Sequence, residues 1–417
     1  MDYFDILPNS GPFTNFTTAA IVGDFTDPIG GECPSTGFIG SGLSRCQTDL
    51  RIASNDPSAD PVEAGAIDPN TKPYQQREFT VGFEHGFWNN YVFRARYTNK
   101  KLVNAIEDAG VANEQGSEVY ITGNPGQGLH REFLEAAGYE GPYAVPRRKY
   151  QAVELVLEKR LSDNYFFNFN YTYSRLRGNY AGLTNTEELA TTGASLNGLG
   201  RAAPGVARNF DLPFIGFTAA GGFDDGPLPT DKPHVVNLYG AYIFNWWSSK
   251  ANTTEFSAFQ TFQSGSPQTT YIQSGGATTI FTGRNDLGRT EMFTETDLGV
   301  THRYRFGRDN RFTLAADVNI INLLDEKNVI TLQNIVTNGQ IPLTGANAIA
   351  PQFLIGNGAN YDKAALINAY NRGELLDEIN TYLAGTPTAL NRTRSDYGLA
   401  NRFQGPRTVR FGFRFIF

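Results

Sequence analysis

Four histidines are the residues best suited to bind a metal or to move a proton near neutral pH. They stand far apart in the chain, and none belongs to a His-Glu-x-x-His or Cys/His pattern: His85, His130, His234 and His302. His85 and His302 occupy apolar positions of alternating segments, where a packing role is favoured over ligation. The sequence therefore predicts no metal site, and it assigns no catalytic residue.

Glycine-rich segments raise the question of phosphate binding, because the backbone N–H groups of a glycine loop at the start of a helix hold phosphates. Such glycines occur at 197–200 and at Gly123, Gly126 and Gly128. We expect neither segment to lie between a strand and a helix, so turns are the favoured interpretation. No cofactor is predicted, and the chain is not expected to be an enzyme.

Four acidic residues fall in or beside one long predicted loop, and carboxylate oxygens are the ligands that Ca²⁺ prefers. They are Asp211, Asp224, Asp225 and Asp231. Their spacing is not that of an EF-hand, so solvated loop acids are favoured over a calcium site. Tyr and Asn side chains of the long loops are suited to a saccharide or a peptide. No pattern selects among them, and the ligand-binding residues stay unassigned.

Charge and cysteine content narrow the classes of function. The formal net charge of −7 and a pI near 5.3 provide no basic field for a phosphate backbone, so nucleic-acid binding is disfavoured. Cys33 and Cys46 are the only cysteines. A disulfide between them and two unpaired thiols are both compatible with the sequence.

Nine segments alternate apolar and polar residues with the period of two that is typical of a strand with one apolar face. They cover 79–87, 91–98, 153–158, 165–174, 233–245, 253–264, 292–305, 310–323 and 409–417. The connections after residues 87, 161, 245 and 305 are short, whereas those at 103–148, 178–231, 265–291 and 325–405 are long. Outer-membrane β-barrels have this asymmetry, with short periplasmic turns and long extracellular loops.

The two faces of these strands differ in polarity. In the second segment Arg94 and Arg96 alternate with apolar residues, which predicts one wet face. The last segment places aromatic and aliphatic residues on one side as far as the terminal Phe417, and Arg410 and Arg414 on the other. Charge on a lipid-facing side is costly, so we expect the apolar side to face lipid and the arginines to face a polar lumen.

The predicted fold class is all-β: an antiparallel transmembrane β-barrel, represented by about nine strands of its C-terminal part. Residues 75–417 are predicted to form the barrel, and residues 1–74 a loop or irregular cap. Within the longest loop, Tyr361 to Leu383 predicts one or two short helices broken near Gly373. No apolar run approaches the ~18 residues of a membrane-spanning helix, and the first residues lack the pattern of a signal peptide.

Several segments resemble the TonB-dependent outer-membrane receptors, and among them the Oar-like kind that carries a carboxypeptidase-regulatory-like domain. The segment Asn322-Leu323-Leu324-Asp325 is similar to the Asn-Leu-Phe-Asn/Asp stretch near the end of these barrels, with Leu in place of Phe. The terminal strand also matches, as do REFTVGFEHGFWNNYVFRARYTNKKLVNAIED at 77–108, ITGNPGQG at 121–128, RKYQAVELVLEKRLSDNYFFNFNYTYSRLRGNYAGL at 148–183, PLPTDKPHVVNLYGAYIF at 227–244 and DVNIINLLDEKN at 317–328.

The resemblance implies a barrel of about twenty-two strands around a plug, energised through the TonB complex. It implies as partners the outer-membrane lipid, the barrel-assembly machinery, the TonB complex and an unknown extracellular ligand, in the outer membrane of a bacterial cell. Nine strands are too few for that lumen, and sheet edges are not tolerated in lipid. We therefore expect a partial barrel without its plug.

Three hypotheses follow for the function. The first is an outer-membrane receptor and transporter barrel for ligand uptake driven by the TonB system. The second is an outer-membrane-anchored adhesion or surface-structural protein, in which long loops contact other cells. The third is a soluble β-sandwich that binds glycans, which requires that the Phe faces bury against each other.

Overall fold

The computed structural model describes residues 66–88, 90–112, 118–182, 210, 212–274, 277–343, 348–355, 360–385 and 392–417. All of them belong to one compact unit, Asn55–Phe417. Most of the predicted cap at 1–74 therefore lies outside the described residues, as do Cys33, Cys46 and Asp211.

Nine long strands form one antiparallel sheet in which each strand pairs with the next along the chain. This meander confirms the nine predicted strands and the all-β fold class. The strands are β1 (Gln75–Phe87), β2 (Tyr91–Asn104), β3 (Arg148–Ser162), β4 (Tyr165–Gly178), β5 (His234–Asn245), β6 (Asn252–Gln263), β7 (Phe293–Phe306), β8 (Phe312–Ile321) and β9 (Thr408–Ile416).

The register of the sheet brings the apolar residues of neighbouring strands onto one face. Val81 lies opposite Tyr97, Tyr97 opposite Val153, and Val153 opposite Tyr173. Because side chains alternate between faces and paired residues share a face, the apolar rows run unbroken from strand to strand. A slip of one residue would turn every one of these side chains to the polar face, so the alternation in the sequence excludes registers shifted by one residue.

Short turns join the strands at one end of the sheet. Asp163 and Asn164 both have positive φ, as do Asp309 and Asn310, and Asn90 belongs to the turn between β1 and β2. Asn and Asp tolerate this left-handed conformation, and turns with two positive φ values match the twist of antiparallel strands. Single turns of 3₁₀ helix lie at Trp246–Ser248 and Arg308–Asn310. By the asymmetry of outer-membrane barrels this end is periplasmic.

β1 and β9 are the edges of the sheet, since each pairs with one strand only in the described part of the chain. Apolar side chains of β9 are exposed: Phe411 is 73% and Phe413 is 81% exposed. The soluble sandwich requires these rings to be buried against a second sheet, and no described strand covers them. The exposed apolar face instead fits contact with lipid.

The long connections fold at the opposite, extracellular end. Their helices are α1 (Gly128–Ala136), α2 (Lys363–Asn371) and α3 (Leu376–Ala384), with a 3₁₀ turn at Pro351–Phe353. None of the helices among the described residues has the length and apolarity to cross a membrane. The short strands are Ala66–Ile67, Glu107–Ala112, Glu118–Gly123, Gly226–Pro227, Tyr271–Ser274, Ala277–Ile280, Val329–Leu332, Leu354–Ile355, Asn360–Tyr361 and Ala400–Phe403.

α2 and α3 confirm the two short helices predicted around Gly373, which has φ +77° between them. α2 also connects distant loops. The Asn368 side chain donates to Gly138 O at 3.1 Å and accepts from the Glu140 N–H at 2.9 Å. The Tyr370 hydroxyl lies 2.8 Å from the Thr279 hydroxyl. The extracellular loops therefore form a packed layer with its own hydrogen bonds.

The Asn322-Leu323-Leu324-Asp325 segment ties the end of β8 to the entry of β9. The buried Asn322 amide donates to Glu326 O and to Gly405 O, both at 2.9 Å. The Asp325 carboxylate accepts from the Arg407 N–H at 3.1 Å. Asn322 and Asp325 both have positive φ, which Asn and Asp adopt more readily than other residues with side chains. The motif thus forms a turn that places the last strand in register.

Candidate functional site

The candidate site is the polar face of the sheet, opposite the apolar rows. Across β1, β2 and β3 it carries a chain of ion pairs. Glu84 and Arg94 lie directly opposite each other and are 2.6 Å apart, and Arg94 also lies 3.0 Å from Glu158. Arg96 pairs with Glu154, its direct neighbour on β3. The predicted wet face at Arg94 and Arg96 is therefore present as a cross-strand ionic network.

A second ionic group lies on the same face near the C-terminus. Arg303 is 2.7 Å from Glu255, and Arg414 is 3.3 Å from Asp317. Gly412 lies opposite Asp317, and a Cβ at Gly412 would meet the Asp317 carboxylate at 2.4 Å. The absence of a side chain at this position makes room for the carboxylate. Arg414 thus lies on the polar face, as the sequence predicted.

These pairs are open to water, since more than half of the Arg96 side chain is exposed. Exposed ion pairs contribute at most about 1 kcal/mol each, so they are not the main source of stability. Their consequence is chemical: one face of the sheet offers fixed charges and water, and the other offers hydrocarbon. The second face fits contact with lipid.

The histidines have separate environments. His234 Nδ1 lies 2.9 Å from the Tyr171 hydroxyl, and His302 Nδ1 lies 2.9 Å from the Thr254 hydroxyl. His85 stacks on Phe83 with ring centroids 6.1 Å apart. Within the residues that the structure describes, no three His, Cys, Asp or Glu side chains are grouped as a metal site requires.

His130 is buried in the loop layer, where the Gly126 N–H donates to its Nδ1 at 2.8 Å and its Nε2 lies 3.3 Å from Gly110 O. Burial lowers the pKa of His130 to about 4, so the ring is neutral at physiological pH. A neutral ring with Nε2–H donating to Gly110 satisfies both contacts. Its role in this arrangement is to join two loops.

The expectation that Gly123, Gly126 and Gly128 lie outside a strand-to-helix setting is wrong. The strand Glu118–Gly123 precedes them, and α1 begins at Gly128. The start of α1 nevertheless already holds an anion, because Asp68 accepts from the Leu129 N–H at 3.0 Å. A Cβ at Gly128 would meet the Asp68 carboxylate at 2.3 Å, so this glycine is needed for the close approach of that group. The helix dipole is therefore matched by a side chain of the same protein.

The interpretation of the loop acids as solvated is wrong for Asp224 and Asp231, which are buried, whereas Asp225 is exposed as that interpretation expects. Asp224 and Arg284 are both buried and lie 3.1 Å apart. Asp231 pairs with Arg289 and accepts from the Leu176 N–H at 2.6 Å, and Asp225 pairs with Arg147. A separate arginine thus faces each of the three described acids. This arrangement neutralises the charges in pairs rather than gathering them around a cation.

Tyr180 and Glu107 join the loop after β2 to the end of β4. The Tyr180 hydroxyl donates to the Glu107 carboxyl group within a core that contains Leu102, Ala105, Phe210 and Phe217. Partial burial raises the pKa of Glu107 to about 7. Sequence reasoning missed this pair, because the two residues are 73 positions apart and neither belongs to a motif.

An aromatic cavity lies between the loops, but its volume is only about 20 Å³. That space suits about one water molecule and not a sugar or a peptide. It is lined by residues of α1 and of the segments that follow it, among them Tyr139, Tyr143, Phe210 and Phe217. The long loops are therefore packed here.

A single antiparallel meander with an exposed apolar face and an ionic face defines an outer-membrane β-barrel protein. The chain belongs to the outer membrane beta barrel domain family, whose model matches residues 2–287. This places it in the bacterial outer membrane.

The chain is 26% identical over 358 residues to the TonB-dependent transporter Oar of Myxococcus xanthus. That similarity covers 84% of this chain and 29% of Oar, so the chain spans less than a third of its relative's length. The predicted resemblance to an Oar-like barrel is confirmed. Among solved structures, the outer-membrane transporter YddB of Escherichia coli matches 66% of this chain and 32% of its own, at 13% identity and a TM-score of 0.40.

Proposed function

We propose that the chain forms the C-terminal wall of an Oar-like transporter that takes up a ligand through its lumen with energy from the TonB complex. The observation that supports this proposal is the ionic face of the sheet, with Arg94 and Arg96 in water-exposed ion pairs. A charged inner face is what a pathway for a polar solute needs.

The mechanism consists of binding and gated passage, with no covalent step. The ligand binds first to the extracellular loops and then moves along the ionic face. Because Arg94, Arg96, Arg303 and Arg414 on that face each have a carboxylate neighbour, a passing solute would replace existing contacts of these arginines, and its net binding would stay weak. Coupling to the TonB complex requires a plug, and closure of the wall requires further strands beyond β1 and β9. Insertion of these strands is the task of the barrel-assembly machinery.

The water-filled lumen is tested by cysteine labelling on one strand. Cys33 and Cys46 are first replaced by Ser. Asn170→Cys on the ionic face and Phe169→Cys on the apolar face are then treated in isolated outer membranes with a membrane-impermeant maleimide. We expect the Asn170→Cys variant to be labelled and the Phe169→Cys variant to be protected. Equal labelling of the two variants would contradict the assignment of one face to lipid and the other to water.

Energised uptake is tested in cells that produce the protein in its native context. A fluorescent peptide mixture and a fluorescent dextran series serve as probes, with and without a protonophore. Accumulation of a probe that the protonophore abolishes supports transport. Surface binding that the protonophore leaves unchanged, without accumulation, contradicts transport and favours the anchoring and adhesion alternative.

A further inference from the structure

Four basic residues lie side by side at the extracellular end of the sheet. They are on the same face as the apolar rows, which is the face that points outward. Arg77 on β1 lies opposite Lys101 on β2, Lys101 opposite Lys149 on β3, and Lys149 opposite Arg177 on β4. We call these four residues the cationic row. Like charges directly opposite each other destabilise a sheet, so the fold alone gives no reason for this arrangement.

The cationic row differs from the inner face in having no carboxylate neighbours. All four side chains belong to exposed residues. Within the described part of the chain, no ion pair involves any of them. The nearest acid in the adjoining cleft, Asp225, pairs with Arg147 instead. The row thus presents about four unneutralised positive charges over a width of about 14 Å, at the usual strand spacing.

The height of the row on the barrel is set by the strands. Each of its members is ten residues from the periplasmic end of its strand, where the same face carries Phe87 on β1, Tyr91 on β2, Lys159 on β3 and Phe167 on β4. At about 3.3 Å per residue and a strand tilt of about 40°, ten residues rise about 25 Å. This is the height of the apolar band of an outer-membrane barrel, so the cationic row lies at the outer boundary of the hydrocarbon.

The apolar rows of the same face begin four residues lower, with Val81, Tyr97, Val153 and Tyr173. The intervening row, two residues below the cationic row, consists of Phe79, Asn99, Gln151 and Arg175. Between the two rows, the Arg175 guanidinium lies 5.8 Å from the Tyr173 ring. Three members of the cationic row, Lys101, Lys149 and Arg177, also line an open cleft of about 530 Å³. A molecule that fits has acyl chains below and anionic groups above.

We propose that the cationic row binds the phosphorylated head group of an outer-leaflet lipid. The lysines and arginines contact the phosphates, and the acyl chains lie against the apolar rows below. A nucleic acid, an acidic protein or free phosphate would contact the basic side chains but would leave the apolar surface below the row uncovered. This binding is separate from the passage of a solute along the inner face.

The test uses the full chain in a neutral detergent with diphosphorylated lipid A as the probe and native mass spectrometry as the measurement. The variant Lys101→Gln/Lys149→Gln/Arg177→Gln removes three charges. Each basic residue near an anionic surface contributes about a fivefold factor in affinity, so we expect a loss of about a hundredfold. Lys250→Gln/Arg308→Gln/Arg311→Gln removes three charges at the periplasmic turns and is expected to stay within about twofold of the parent.

Further arms separate the sources of the effect. A Lys101→Arg/Lys149→Arg/Arg177→Lys variant keeps the charges and should retain binding, whereas its failure to bind would overturn a charge-based site. Dephosphorylated lipid A should bind as weakly to the parent as the intact lipid does to the glutamine variant. Unchanged binding in the glutamine variant, an equal loss in the periplasmic control, or full competition by inorganic phosphate would each overturn the proposal.

Discussion

The hydroxyl of Tyr180 donates a hydrogen bond to the carboxyl group of Glu107, and this contact joins two extracellular loops that are 73 residues apart. Tyr180 is almost wholly buried, so the contact lies inside the loop layer and not at its surface. A carboxyl group in this position prefers its neutral form, which couples the packing of the loops to pH.

The first prediction concerns that coupling. The pKa of Glu107 rises from 4.5 to about 7 on folding, so the folded loops bind a proton more tightly than the unfolded ones between these values. The stability that Glu107 contributes is therefore complete below about pH 4.5 and decreases as the pH rises through about 7. Protection factors of the segments 107–112 and 178–182, which are the exchange rates divided into the intrinsic rates at each pH, should fall over this interval. In Glu107→Gln, which stays neutral, these protection factors should not change with pH, and a protection profile identical to the parent's would contradict the assignment.

The second prediction concerns the buried acid Asp231. Replacing it with Ala leaves Arg289 without its carboxylate and the Leu176 N–H without an acceptor. Loss of one partner of a buried pair typically costs about 3 kcal/mol, and partial exposure of Arg289 reduces the expected cost to about 2 kcal/mol. Hydrogen exchange at the Leu176 amide should accelerate accordingly. Asp309→Ala, in an exposed turn, is the matched control, and equal effects of the two changes would show that the pair is not important.

The third prediction compares two glycines with positive φ at the ends of helices. A Cβ at Gly373 would meet Ala220 O at 2.3 Å, whereas a Cβ at Gly385 would meet nothing within 4 Å. Both Gly→Ala changes reduce the stability by about 1 kcal/mol, because alanine disfavours the left-handed conformation. Only Gly373→Ala adds a steric clash between loops. Limited proteolysis should cut the 363–384 region faster in the Gly373→Ala variant. Similar cleavage rates in the two variants would contradict a close contact between Gly373 and Ala220.

The fourth prediction concerns the terminal strand. Phe415 stacks on Phe312 of β8 and on Phe417, with both pairs of ring centroids 6.0 Å apart. Phe415→Ser/Phe417→Ser removes apolar area that faces lipid and should reduce the amount of chain assembled in the outer membrane several-fold. Arg410→Ser on the polar face of the same strand is the control. If the double variant assembles as well as this control, the aromatic ending has no part in assembly.

Much of the sheet follows from the sequence. The period of two in each strand determines which side chains share a face, and one-sided burial or lipid contact excludes registers shifted by one residue. Short turns after 87, 161, 245 and 305 predict four antiparallel hairpins, whereas the pairing of one hairpin with the next crosses long loops and was seen only in the structure. The helices around Gly373 follow in the same way, because a helical period and a breaking glycine are local features.

The contacts of the loops depended on the tertiary structure. Asp224 and Arg284 are 60 residues apart, and no spacing pattern in the sequence links them. The sequence around Asp224 therefore predicted a solvated loop. The strand before α1 contains no strong alternation, and it forms because Ala66–Ile67 and Glu107–Ala112 pair with it.

The cationic row shows what the sequence determined and what the tertiary structure decided. The sequence by itself determined that Arg77, Lys101, Lys149 and Arg177 are basic and near strand ends. Only the register of three successive strand pairs decided that they lie directly opposite one another. Residue type and periodicity are local properties of the chain, whereas adjacency across strands arises from pairing over distances that no local pattern encodes.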